Sequence, residues 1–110
     1  MESCLFCRLV AGKIPATQVY SDEETLAFRD INPVAPGHIL LIPRRHMENM
    51  LDLDDTTALA MHRALKNIVA AENLDKGFRL VANKGEHGGQ TVFHLHWHIL
   101  SGRHMGWPPG

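Results

Sequence analysis

Seven residues near the C-terminal end constrain this chain more than any others: His94-Leu95-His96-Trp97-His98-Ile99-Leu100 alternates between imidazoles and large apolar side chains. Successive side chains of a strand point to opposite faces. The pattern therefore predicts a strand with Leu95, Trp97 and Ile99 on one face and three imidazoles, about 6.6 Å apart at Cα, on the other. The apolar face is suited to pack under another element, so core packing would position the histidines. Imidazole can serve as nucleophile, base or acid near pH 7, and a neighbouring imidazole can fix which nitrogen carries the proton. On residue chemistry alone, a covalent or acid–base site stands beside a metal site in which two such histidines reach one cation. A solvated face that merely happens to use histidine is the bland third reading.

The rest of the sequence supplies the frame. Residues 4–10 predict a short helix ended by Gly12, and Pro15 pushes the chain into an extended course. Val19 and Tyr20 pair with residues 25–29 in a hairpin through the turn chemistry of Ser21-Asp22-Glu23-Glu24. After Pro36-Gly37, residues 38–43 form a nearly continuous apolar strand. Asp54 or Asp55 caps one long helix with Ala58, Met61, Leu65 and Ile68 on a stripe, and Gly77 is its expected stop. Residues 78–82 and 92–100 read as strands around a polar loop, 83–90, that holds Gly85, Gly88 and Gly89. The expectation is one α+β domain over residues 1–110: an antiparallel sheet of about five strands, one long helix and a short N-terminal helix.

Composition narrows the partners. The 110 residues are 45% hydrophobic and 21% charged, and 11 Lys+Arg against 12 Asp+Glu leave a net charge of −1. Without clustered cations, nucleic acid is not an expected partner. No run approaches the roughly 18 apolar residues of a membrane helix, and the first residues lack a secretion-signal layout, so a cytoplasmic address and no membrane partner are expected. A small anionic ligand remains open. Cys4 and Cys7 are the two cysteines; a bridge between them would close too short a loop to constrain the chain, which leaves a metal half-site, a redox pair or two packed thiols. Of the eight histidines, His62, His87 and His104 suggest no role.

The triad segment resembles the histidine triad (HIT) family, defined by His-φ-His-φ-His-φ-φ with φ apolar. The resemblance runs on through Ile14-Pro15-Ala16, Ala27-Phe28-Arg29-Asp30-Ile31-Asn32-Pro33, Pro36-Gly37-His38, Ile42-Pro43-Arg44-Arg45-His46, Asn83, Gly88-Gly89-Gln90 and Trp107-Pro108-Pro109-Gly110. Gly88-Gly89-Gln90-Thr91, Gly102-Arg103 and the tail are similar to the histidine triad nucleotide-binding branch. That branch implies a HIT-like fold whose sheet is extended by dimerisation, and a homodimeric purine nucleoside phosphoramidase that releases AMP or GMP. The diadenosine polyphosphate hydrolase branch has proline and arginine just after the triad, where this chain has Ser101-Gly102-Arg103. That activity is the alternative, alongside a nucleotide-binding adaptor with incidental hydrolysis.

The resemblance also implies roles. His96 would attack phosphorus, His98 would touch phosphate oxygens and help protonate the departing amine, and His38 would orient and polarise His96. Asp30 would take the ribose hydroxyls and Leu5, Phe6, Phe28, Ile31 and Leu40 the base, with Asn83 near ribose and phosphate. Backbone N–H groups around Gly89, Gln90 and Thr91 would meet the phosphate, and Thr91 keeps a hydroxyl where the family often has serine. The chemistry implies no cofactor. Cys4, Cys7, His46 and His94 correspond to a Cys₂His₂ structural zinc set of some bacterial relatives. The tail with Trp107 would reach the partner subunit's active site.

Overall fold

The computed structural model describes residues 3–110. Asp22 makes the first hairpin: its Oδ1 accepts the backbone N–H groups of Glu24 and Thr25, and Tyr20 Oη donates to its Oδ2. The turn joins β1 (Gln18–Ser21) to β2 (Thr25–Arg29), with a register irregularity between Gln18 and Tyr20. Next comes β3 (Gly37–Pro43), seven residues buried almost throughout. A Cβ at its glycine would lie 2.2 Å from Ser101 Oγ, so the serine hydroxyl would have to rotate away. Helix α2 (Asp55–Ala71) begins at Asp54, whose side chain accepts the Thr57 N–H at 2.8 Å. Strands β4 (Arg79–Val81) and β5 (Trp97–Ser101) complete an antiparallel sheet of order β1-β2-β3-β5-β4. The short α1 (Leu5–Val10) precedes them all, capped by Cys4.

The period-2 pattern of the central strands sorts their side chains between two cores. Ala27, Ile39, Leu41, Leu95, Trp97 and Ile99 pack with Met61, Ala64, Leu65 and Ile68 of α2. On the opposite face, Leu26, Phe28, Leu40 and Ile42 pack against Phe6 of α1. The expected α+β architecture, with five antiparallel strands and two helices, is what the chain forms. No helix among the described residues is long and apolar enough to cross a membrane.

Three boundaries differ from expectation. The helix stops at Ala71, six residues before Gly77, because Asn73 takes the left-handed conformation (φ 58°) that asparagine tolerates and Leu74 N–H bonds back to Val69. Its buried stripe is Thr57, Ala60, Met61, Ala64, Leu65 and Ile68, and Ala58 is only half-buried. The strand expected over 78–82 is limited to Arg79–Val81. The last strand covers Trp97–Ser101 instead of 92–100: residues 91–96 leave the ladder, and Leu95 N–H bonds to the Met47 carbonyl at 2.6 Å.

Candidate active site and metal centre

Because the last strand starts at Trp97, the three triad imidazoles divide between two tasks. His94, fully buried, turns toward Cys4 and Cys7. His96 and His98 line a cavity of about 400 Å³ on the α1 side of the sheet. Leu5 and Phe6 of α1, Phe28 of β2, Leu40 of β3, Asp30, Ile31 and Thr91 line it too. Asn83, Gly89 and Gln90, expected at the same site, do not. The sequence reading missed Leu9 and Val92, and it used Arg29, Asn32 and Ile14-Pro15-Ala16 only as parts of matching segments; all seven face the cavity. Their signal was adjacency to residues already singled out. A cleft of about 530 Å³ beside α2 is larger, but His62 is its only imidazole.

Hydrogen-bond partners fix which nitrogen of each imidazole is protonated, since a carbonyl can only accept and a backbone N–H can only donate. His96 Nδ1 donates to the His94 carbonyl at 2.8 Å, leaving the lone pair on Nε2. His94 Nε2 donates to the Pro43 carbonyl at 2.8 Å, so its Nδ1 lone pair faces the thiols. His38 Nδ1 accepts the Val34 N–H at 3.0 Å, so its proton sits on Nε2, 2.9 Å from His98 Nδ1. His98 accepts there and keeps its own proton on Nε2. This corrects the expected pairing: His38 contacts His98, and His96 is oriented by the His94 backbone. Across the sheet Leu40 faces His98 and His38 faces Leu100, which brings the two imidazoles together diagonally.

Burial first, then the neighbouring imidazoles His96 and His38, depress the His98 pKa to about 4. Burial lowers His38 as well, against the pull of Asp30. Asp30 Oδ2 lies 3.4 Å from His38 Nε2, and with His38 neutral this is a dipole facing a carboxylate. Phe6 stands edge-on to both His94 and His96, with ring centres 5.9 and 5.2 Å away.

The glycine loop is built differently from expectation. The N–H groups of Gly89 and Gln90 are engaged with the Glu86 and Gly85 carbonyls inside the turn. The buried Gln90 amide accepts from Gly85 N–H and donates to the Glu48 and Val92 carbonyls, so it staples the loop. Gly89 has φ 77°, and a Cβ on Gly88 would lie 2.4 Å from the Lys84 carbonyl oxygen; the turn requires glycine at both.

Among the described residues, two clusters bring metal-ligating side chains together. In the first, Cys4 Sγ lies 3.3 Å and Cys7 Sγ 3.5 Å from His94 Nδ1, and Cys7 Sγ lies 3.4 Å from His46 Nδ1. Zinc bond lengths place sulfur and nitrogen ligands of a tetrahedral ion about 3.6 Å apart, so this set fits. The Pro43 carbonyl already holds His94 with its lone pair toward the thiols, the outer-shell arrangement metal-binding histidines use. Burial and Cys4 raise the Cys7 thiol pKa, so metal uptake would release a proton. The second cluster is Asp30, His38 and His98. There the Val34 N–H requires a proton on the His38 nitrogen that would have to ligate, so the cluster is a hydrogen-bond chain.

A family model described as the HIT domain matches residues 11–105. A HIT-like protein of Synechococcus elongatus is 46% identical, covering 99% of this chain and 98% of its own. A 14 kDa zinc-binding protein of Brassica juncea is 42% identical, covering 96% and 98%. Among solved structures, a histidine triad protein from Clostridium difficile superposes with TM-score 0.90 at 41% identity, covering 96% of each chain. A HIT family hydrolase from Legionella pneumophila gives TM-score 0.90 at 46% identity, covering 98% of this chain and 100% of that one.

Proposed function

The chain belongs to the HIT domain family, and from that premise we propose that it hydrolyses the P–N bond of purine nucleoside 5′-phosphoramidates through a covalent nucleotidyl-histidine. The relative from Legionella pneumophila called a HIT family hydrolase supports the reaction class. His96 Nε2 attacks the α-phosphorus, and a bond to the imidazole forms as the bond to the amine breaks. The departing nitrogen takes a proton from solvent, since an amine expelled as its anion is a very poor leaving group, while the His98 Nε2–H donates to a phosphoryl oxygen. Water then attacks the same phosphorus and gives its proton to solvent as the bond to His96 breaks, which returns His96 to its neutral form and releases AMP or GMP. The observation that carries this reading is the 2.8 Å bond from His96 Nδ1 to the His94 carbonyl, which leaves a lone pair on a cavity-lining imidazole. Leu5, Phe6, Phe28, Ile31 and Leu40 hold the base, Asp30 the ribose hydroxyls and Thr91 a phosphate oxygen.

Cys4, Cys7, His46 and His94 hold zinc in this reading, supported by their donor geometry and by the relative named a zinc-binding protein. With four protein donors the ion is structural: it braces α1 against the sheet and takes no part in bond cleavage. The protein acts on free nucleotides as a homodimer in the cytoplasm, where the two thiols stay reduced.

The test is a side-by-side steady-state assay of adenosine 5′-phosphoramidate and a diadenosine polyphosphate with wild type and His96→Ala. Expected are preference for the phosphoramidate and a loss of about 10⁴-fold or more in the variant, as for removal of a covalent nucleophile. Preference for the dinucleotide would assign the other hydrolase activity, and nucleotide binding without turnover would leave an adaptor.

A further inference from the structure

One N–H of this site is bonded to one acceptor and lies near a second. His38 is 5% exposed, and the Val34 N–H on its Nδ1 leaves Nε2–H as its single donor. That N–H points at His98 Nδ1, 2.9 Å away, and lies 3.4 Å from Asp30 Oδ2. Asp30 is held firmly: its N–H bonds to the His38 carbonyl at 3.0 Å, and its Oδ1 accepts the Asn32 N–H at 2.8 Å. The same carboxylate forms part of the cavity wall. An ionised carboxylate only accepts, so a ligand that engages Asp30 must bring hydroxyl donors.

We propose that Asp30 is a positioning residue that couples recognition of a ligand's vicinal diol to the alignment of His98. With the cavity empty of diol, the carboxylate draws on the His38 N–H in competition with His98. Two ligand hydroxyls donating to Asp30 satisfy its charge and leave the N–H to His98. His98 Nδ1 is then held as an acceptor, and its opposite N–H is fixed toward the reacting phosphoryl group. Contacts to the sugar, remote from the bond that breaks, thus become transition-state stabilisation. The inference rests on the nucleotide hydrolase reading above, but its central claim concerns the Asp30-His38-His98 chain and can be read without turnover.

The kinetic experiment compares adenosine 5′-phosphoramidate with its 2′,3′-dideoxy analogue in wild type and Asp30→Asn. In wild type, loss of the diol lowers kcat at least about tenfold, the scale of one charge-assisted hydrogen bond. In Asp30→Asn the two substrates have kcat values within about twofold. A diol effect confined to KM overturns the proposal, because the carboxylate would then contribute to binding alone. The second experiment needs neither turnover nor a variant: imidazole ¹⁵N spectra of wild type with saturating AMP or 2′,3′-dideoxy-AMP. AMP moves the His38 Nε2 and His98 Nδ1 resonances and the dideoxy ligand leaves them near their free positions. Identical shifts with both ligands overturn the proposal even if the enzyme is active. Wild type that turns over neither substrate but shows the AMP-specific shift rejects the hydrolase reading and retains the coupling. Failure of AMP to bind at all rejects both.

Discussion

An imidazole has two nitrogens, and at each position of this site one of them is already committed. Pro43 takes the N–H of His94, His94 takes that of His96, and Val34 supplies a donor to His38. Each commitment decides whether the remaining nitrogen can ligate, attack or donate. His38 and His98 are both held below the ordinary histidine pKa, His98 down to about 4. The folded chain therefore binds fewer protons at these two positions than the unfolded chain between about pH 4 and 6.5, and stability rises with pH across that window. The contribution is fully present above about pH 6.5 and is lost as pH falls toward 4. His98 alone accounts for on the order of 2–3 kcal/mol. Chemical denaturation at pH 7.5 and 4.5 reads it: wild type loses stability on acidification, and His98→Asn loses measurably less. Equal losses would reject the assignment. The alternation of residues 94–99 made the apolar partners of these histidines legible, since Leu95, Trp97 and Ile99 pack under α2. The His38 to His98 contact was not legible, because it depends on the Leu40 to His98 register between segments far apart in sequence.

At the scale of elements, α1 links the two centres. Its cap, Cys4, and its first turn, with Cys7, supply two of the four metal donors, and the same six-residue helix presents Leu5 and Phe6 to the cavity. A helix this short is marginal by itself, so tertiary anchoring must hold it. Its anchors are Phe6, packed at 5.4 Å against Phe28, and the cysteine and histidine cluster. Zinc bound by that cluster would fasten the cavity wall to the sheet. The expected results are about one zinc per chain in wild type, none in Cys7→Ser, and a fall in Tm on the order of 10 °C on chelation or substitution. AMP affinity should weaken in parallel as Leu5 and Phe6 lose their support. Metal-free wild type whose Tm is indifferent to chelator would sink the structural role. The Cys-x-x-Cys spacing hinted at this clip, but His46 and His94 joined it only through the family resemblance. The glycine loop was misjudged in a physical sense, since spacing does not tell whether its N–H groups face a ligand or close their own turn.

The whole molecule has two sheet edges, β1 and β4, and they are not alike. Strand β1 carries a register irregularity, which blunts an edge against pairing. Strand β4 is regular, with Leu80 and the neighbouring Phe78 about 40% exposed. The tail is tied to the same edge, for the Arg79 guanidinium donates to the Gly106 carbonyl at 2.8 Å and leaves Trp107 exposed. A second copy pairing along β4 would cover Leu80 and Phe78, extend the sheet and bring each exposed Trp107 to its partner. Light scattering should then report a mass near twice the 12.3 kDa of one chain. Leu80→Lys, which places a charge on the edge, should shift the protein toward monomer with its far-UV spectrum unchanged. If the tail sets the choice of amine, the monomeric variant should retain hydrolysis of the unsubstituted phosphoramidate while its discrimination among bulkier amines narrows severalfold. A wild type that runs as a monomer at micromolar concentration rules out this edge as a dimer interface. A Leu80→Lys dimer with unchanged discrimination places the interface elsewhere on the surface.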